Sequence, residues 1–90
     1  MRPATVTTLF KYTDKQAIAR WRPEPISIDV ARQCLRRARR NGHTVQVHQT
    51  TARDGSSVHV AHVHTGPGHW DAVDYVTDIY EIPTDALTDL

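Results

Sequence analysis

A chain of 90 residues with 39 % hydrophobic and 23 % charged side chains has the composition of one globular domain, which excludes a disordered or membrane-embedded chain. We therefore predict a single domain over residues 1–90. No run approaches the ~20 apolar residues that a membrane-spanning helix needs. The N-terminus has no apolar signal-peptide core, so we expect a cytoplasmic protein with no membrane partner.

The net charge of +1 hides a division of the charges along the chain. Residues 1–53 contain all eleven basic side chains and three acidic ones, which gives a net charge of +8. Residues 54–90 contain seven acidic side chains and neither Lys nor Arg, which gives −7. Either the two halves face each other within the fold, or they present opposite charges on two surfaces.

The N-terminal region predicts a strand followed by a short helix. Apolar and polar side chains alternate over residues 1–13, which is typical of a strand. Thr13 and Gln16 then have the spacing of a helix capping box. We expect a short helix that ends near Arg20 and buries Ile18 and Trp21, because Pro23 prevents its continuation.

Residues 28–41 give the clearest signal of the chain, an amphipathic helix. Ser27 is a suitable N-cap, and Gly42 can adopt the left-handed conformation that ends a helix. Residues at helical spacing separate into two sides. The apolar side consists of Ile28, Val30, Ala31, Cys34, Leu35 and Ala38. The polar side carries Arg32, Arg36, Arg37, Arg39 and Arg40.

The five arginines allow two interpretations. A guanidinium group is a fixed fork of donors that matches phosphate oxygens, so the polar side of the helix is a candidate binding surface for nucleic acid or for another acidic partner. Charge runs on exposed helices are also commonly solvated faces that pair with acidic residues of the same domain. The single cysteine, Cys34, lies on the apolar side and is predicted to be a buried structural thiol.

Residues 44–52 and 57–65 are predicted to form an antiparallel hairpin, because Asp54 and Gly55 are typical of a tight two-residue turn. Pairing Arg53 with Ser56 fixes the register. One side then collects Val45, Val47, Val58 and Val60, with His62 and His64 at its far end. The other side collects Gln46, His48, Thr50, His59, Ala61 and Val63.

Residues 69–82 are predicted to form a third helix, which Pro83 ends. Four acidic residues recur there at spacings of three, four and three, which is helical and not alternating. These residues, Asp71, Asp74, Asp78 and Glu81, would form an acidic face. Complementary basic and acidic helices would also allow the chain to associate with a second copy of itself.

The histidines form a candidate metal site. His62, His64 and His69 have the spacing H-x-H-x4-H, and imidazoles at alternate positions of a strand can bind Zn²⁺, with Asp71 as a fourth ligand. The alternative is that these histidines lie at the surface near a strand end. We treat this site as the weaker interpretation and expect no cofactor.

No nucleophile elbow, phosphate-binding glycine loop or pair of carboxylates in an apolar run is present, so we expect that the chain is not an enzyme. Trp21 and Trp70 are expected in or beside the core. A tryptophan exposed beside arginines would instead favour the stacking of a nucleic-acid base.

The predicted fold class is α+β, in the order β-α-α-β-β-α, with a small antiparallel sheet covered by helices. The first functional hypothesis is a non-enzymatic interaction module that binds a protein partner through its charged helices, as an accessory or regulatory protein of a phage, plasmid or bacterial host would. The second is nucleic-acid binding through the arginine-rich helix 28–41. The third is a zinc-binding protein or enzyme.

Overall fold

The computed structural model describes residues 3–12, 18–66 and 73–86. Within these ranges the chain forms six strands, one α-helix and a final 3-10 turn. The elements are β1 (Ala4–Tyr12), β2 (Ile18–Arg20), β3 (Glu24–Ile26), α1 (Ile28–Arg40), β4 (Thr44–Thr51), β5 (Ser57–Gly66), β6 (Val73–Pro83) and the turn Thr84–Ala86. The predicted α+β class with several helices is therefore wrong, because the described residues form a small, mostly antiparallel β fold.

The strands form one antiparallel sheet in the order β2-β1-β6-β5-β4, and β3 also pairs with β1. The predicted N-terminal strand is confirmed as β1. β2 pairs with the end of β1 at Leu9 to Lys11, and β3 pairs with its beginning at Ala4 to Val6. Both short strands therefore protect the same edge of β1, and β6 pairs with its other edge.

The predicted arginine helix is confirmed, together with both of its end signals. The Ser27 hydroxyl accepts a hydrogen bond from an amide of the first turn (3.1 Å). At the other end, the His43 amide donates to the Ala38 carbonyl (2.9 Å) and the Gly42 amide to the Arg39 carbonyl (3.1 Å). These two bonds form a Schellman motif, which Gly42 permits because its φ is 79°.

α1 packs on one side of the sheet, which we call the helix side. Ala31, Leu35 and Ala38 are buried there, and Leu35 and Ile82 are the largest fully buried side chains of the described residues. Their partners on the sheet are Ala4, Ala61, Val63, Tyr80 and Ile82. We call the opposite side of the sheet the far side. By register it carries His48, Val60, His62, Ile79 and Glu81.

The predicted helix over residues 69–82 is wrong, because its described part is the strand β6. β6 is paired along both edges, with β1 and with β5, so ladder hydrogen bonds on both sides override the helical spacing of its acids. β6 has buried residues on both sides of the sheet, Tyr80 on the helix side and Thr77 on the far side, so its pattern of side chains does not alternate strictly. Residues 69–72 of the predicted helix lie outside the described residues.

The predicted short helix before Arg20 is also wrong in its described part, since Ile18–Arg20 is the strand β2. Residues 13–17 lie outside the described residues. Ile18 and Trp21 are 62 % and 60 % exposed, so neither side chain is buried as expected. The free edge of β1 offers backbone groups that pair with this segment, and this pairing replaces the local helical hydrogen bonds.

The predicted hairpin is present as β4 and β5, but its register differs by one residue. Thr51 pairs with Ser57, and a five-residue loop replaces the expected two-residue turn. Asp54 Oδ1 accepts hydrogen bonds from the Ser56 amide (3.0 Å) and hydroxyl (2.6 Å), which stabilises the longer loop. Because side chains alternate along a strand, the shift exchanges sides. Val45 and Val47 therefore lie with Ala61 and Val63 on the helix side, and Val58, Val60, His62 and His64 lie on the far side.

Candidate functional site

The predicted arginines are brought together on the outer surface of α1. Arg36, Arg37, Arg39 and Arg40 are exposed, and Arg32 is half-buried. Their positions follow from the buried side of the helix, because Leu35 and Ala38 fix its rotation against the sheet. The four exposed arginines and Gln33 line one concavity of about 530 Å³, which we call the arginine groove.

The arginine groove carries a concentration of positive charge. Arg37, Arg39 and Arg40 lie in the last turn of α1, where the helix dipole stabilises cations. The acidic residue of the first turn, Asp29, precedes Arg40 by eleven residues, a distance of about 16 Å along the helix axis. Several guanidinium groups therefore share a small volume at the C-terminal half of the helix.

A polar cleft of about 180 Å³ lies between the C-terminal half of α1 and the sheet. Its lining includes Cys34, Arg37, Asp78 and Tyr80. Burial raises the pKa of the Tyr80 hydroxyl well above its usual range, and a hydrogen bond with Cys34 and the charges of Cys34 and Asp78 raise it further. Tyr80 is therefore neutral at physiological pH.

Asp78 in this cleft accepts a hydrogen bond from the Thr8 hydroxyl (2.9 Å), which links β6 to β1. Cys34, which the sequence predicts to be buried, is half-buried at the margin of the core. Further hydrogen bonds at this cleft join the Thr65 hydroxyl to the Val76 carbonyl (2.9 Å) and Tyr80 to Cys34. We assign it a structural function in holding α1 to the sheet.

The predicted acidic face does not form. Alternation along β6 places Asp78 on the helix side and Glu81 on the far side, and Asp74 lies at the irregularity where β6 pairs with the end of β1. Asp71 lies outside the described residues. The predicted association of two copies needs an acidic helix, and residues 73–86 form a strand and a 3-10 turn instead.

Two of the three predicted metal ligands, His62 and His64, share the far side, and His69 lies outside the described residues. The rings of His48 and His62 stack at 5.5 Å between centroids and 22° between planes. His64 Nδ1 is 3.2 Å from the Thr77 hydroxyl, within hydrogen-bond distance. Among the described residues no group of three or more His, Cys, Asp or Glu side chains could hold a metal ion.

These stacked rings interact electrostatically. Burial lowers the pKa of His62, and the charges of His48 and His64 lower it further. The hairpin register places His48 and His62 on the same side, whereas the predicted register places His48 beside His59. The pair was therefore missed because the register prediction was one residue out.

Trp21 is a further candidate, and its exposure was not predicted. It follows β2 at the edge of the sheet, between Arg20 and Arg22, and all three residues are exposed. Its ring contacts that of Phe10 at 5.0 Å between centroids, with a tilt of 58°. The sequence signal is the tryptophan itself between two arginines, immediately before Pro23.

No known family matches the sequence, and no curated protein or solved structure shows significant similarity to it. Within the described ranges no helix has the length and apolarity needed to cross a lipid bilayer.

Proposed function

We propose that the chain is a small, non-enzymatic interaction module that binds the sugar–phosphate backbone of nucleic acid through the arginine groove. The observation that carries this proposal is the arrangement of four exposed guanidinium groups along one concavity of a single helix. A role as an accessory or regulatory protein of a phage, plasmid or bacterial host, and a cytoplasmic location, are part of the same proposal.

The spacing of the arginines supports contact with several phosphates at once. Residues three or four apart on a helix have Cβ atoms about 5–6 Å from each other. The four exposed arginines occupy residues 36–40, so they project from little more than one turn. Each strand of DNA carries a phosphate every ~3.4 Å along the axis, and a guanidinium fork binds two phosphate oxygens.

The near-zero net charge does not prevent this binding, because Glu81 and Asp29 lie away from the groove. Glu81 is on the far side of the sheet, and Asp29 is in the first turn of α1, about 16 Å along the helix axis from Arg40. Asp78 shares the cleft below α1 with only one arginine of the groove, Arg37. A helix and a sheet packed face to face place their outer surfaces more than a Debye length apart at physiological salt, about 8 Å. The arginine groove therefore presents a positive surface to an approaching polyanion.

The test is fluorescence anisotropy with labelled oligonucleotides at about 50 and 200 mM salt. Four phosphate contacts predict a slope of about −3.6 in a plot of log affinity against log salt for duplex DNA, or roughly a 100-fold loss across this range. Arg36→Gln/Arg40→Gln removes two contacts and is expected to reduce the magnitude of the slope by about 2. Arg53→Gln neutralises an exposed arginine of the β4–β5 loop and serves as the control, with binding nearly unchanged.

Two results would contradict the proposal. One is an absence of binding at 50 mM salt, and the other is an unchanged slope in Arg36→Gln/Arg40→Gln. Polyglutamate is included as a second polyanion, because an acidic protein partner would use the same arginines. Binding of polyglutamate without binding of any oligonucleotide would favour a protein partner.

A further inference from the structure

Trp21 is a large apolar side chain that the fold holds in place without burying it. The Trp21 amide donates to the Thr8 carbonyl (2.9 Å), which continues the β1–β2 pairing by one residue. Phe10 supports the ring from one side, and 60 % of the residue surface remains exposed. The backbone bond and the aromatic contact thus fix the position of a ring that stays open to solvent.

The surroundings of Trp21 are cationic. Arg20 and Arg22 are exposed on either side of it in sequence. Trp21 stands at the edge of the sheet, where it also borders a concavity of about 320 Å³ whose Thr7, Ile79 and Glu81 belong to the far side. The Trp21 ring itself rests against Phe10, which lies on the helix side by register. An exposed aromatic ring with an arginine before and after it in the chain provides a stacking surface with positive charge nearby for a phosphate backbone.

We propose that Trp21 stacks on an unpaired base, so that the nucleic acid bound by this chain is single-stranded. This inference rests on the proposed function of the arginine groove, which supplies most of the phosphate contacts. In a duplex the bases are already stacked on each other, and an aromatic ring at the protein surface reaches them only at an end. A single strand exposes the face of each base, and stacking is then open to any base type.

Trp21 and the arginine groove are close enough for one strand to contact both. Trp21 bonds to Thr8 on β1, and Thr8 bonds to Asp78 on the next strand, β6. These three residues span two strand spacings, about 10 Å. Asp78 lines the cleft below α1 together with Arg37, and the other arginines of the groove lie on the outer surface of α1, one helix diameter (~10 Å) further on. The distance from Trp21 to the groove is then about 20 Å, which a single strand within the known range of about 4–16 nucleotides per binding site covers.

The experiment compares two labelled probes, an oligothymidylate of about 16 nucleotides and a hairpin duplex of similar charge, by anisotropy at low salt. Trp21→Ala is expected to weaken oligothymidylate binding by roughly 5- to 100-fold and duplex binding by less than about 2-fold. Trp21→Phe keeps a ring against Phe10 and is expected to fall between the wild type and Trp21→Ala. Oligothymidylate is also expected to quench the tryptophan fluorescence of the wild type, with most of this quenching lost in Trp21→Phe.

The matched control is Tyr75→Ala. Tyr75 is 55 % exposed and lies near a cation, with Lys11 Nζ 6.0 Å from its ring centroid, so it tests whether any exposed aromatic ring beside a cation has the same effect. It is expected to leave the affinities for both probes within about 2-fold of the wild type. Thermal unfolding checks that each variant is folded. If Trp21→Ala does not fold, the affinities of Trp21→Phe for the two probes test the stacking role.

The outcomes separate this inference from the proposed function. Equal losses for both probes in Trp21→Ala, or no loss for either, would overturn the stacking role and leave the arginine groove as the binding surface. The expected pattern has two parts. Arg36→Gln/Arg40→Gln weakens the binding of both probes, and Trp21→Ala selectively weakens the binding of oligothymidylate. No binding of either probe by the wild type would overturn the inference and the proposed function together.

Discussion

The two sides of the sheet differ in what they contribute to the molecule. On the helix side, Leu35 and Ile82 are fully buried in one apolar cluster that joins α1 to the strands. The far side carries histidines and threonines between its apolar residues, and its buried valines, Val58 and Val60, are not part of that cluster. Burial of apolar area is the main source of stability, so we expect the helix side to dominate the free energy of unfolding.

This difference also separates stability from binding. The inner face of α1 forms the core, and the outer face of the same helix carries the arginine groove. Substitutions on the inner face of α1 are therefore expected to change stability and to leave the arginines in place. Substitutions on its outer face are expected to change the surface charge and to leave the core intact. Substitutions on the far side are expected to affect neither strongly, and three experiments test this comparison.

The largest effect is expected for Leu35→Ala. It removes a fully buried side chain from the contact between α1 and the sheet and should lower the free energy of unfolding by about 2–5 kcal/mol. Arg36→Ala, the neighbouring exposed position, is the control and should change stability by less than ~0.5 kcal/mol. Urea denaturation measures both values. A loss below about 1 kcal/mol for Leu35→Ala would show that the cluster under α1 does not dominate stability.

A smaller effect is expected where α1 ends and the chain turns back to β4. Gly42 has a φ of 79°, and an added Cβ would meet no atom within 4 Å, so the cost of a side chain is conformational and not steric. Gly42→Ala should lower the free energy of unfolding by about 1 kcal/mol. Gly42→Asn should cost less, because Asn adopts the left-handed conformation more readily than Ala. Equal values for the two variants would contradict this account.

The sequence predicted the arginine helix because every signal for it is local. Ser27, Gly42 and the apolar period all lie within sixteen residues, and the buried side then decides where the arginines point. The positions of the arginine groove were therefore predictable from the sequence. The occupant of the groove was not, because the residues that bind phosphate and those that bind an acidic protein are the same.

The sequence did not predict β6, because its state depends on partners that are distant in the chain. Tyr80 pairs with Val6, which lies 74 residues earlier, and no local pattern reports such a pairing. The acids Asp78 and Glu81 have helical spacing, although β6 places the first on one side of the sheet and the second on the other. In the same way, the exposure of Trp21 depends on the pairing of β2 with the edge of β1. The sequence predicted a short helix in place of β2 and therefore gave no sign of this pairing.

The smallest effect is expected on the far side, and it depends on pH. Burial, followed by the charges of His48 and His64, lowers the pKa of His62 below the value of 6.5 that it has in the unfolded chain. The unfolded chain then binds this proton more readily than the folded chain does. His62 therefore leaves stability unchanged well above pH 6.5, and it lowers stability as the pH falls through 6.5 towards the pKa of the folded state.

His62→Gln is expected to flatten this dependence, which is measured as the change in the free energy of unfolding between about pH 7.5 and 5.5. His48→Gln removes one of the two neighbouring charges and should flatten it only in part, because burial is the larger cause of the lowered pKa. Neither variant should alter oligonucleotide binding at pH 7.5, since the far side lies across the sheet from the arginine groove. If the pH dependence of His62→Gln equals that of the wild type, acid lability arises elsewhere in the chain. The far side would then contribute neither to the pH dependence of the free energy of unfolding nor to oligonucleotide binding.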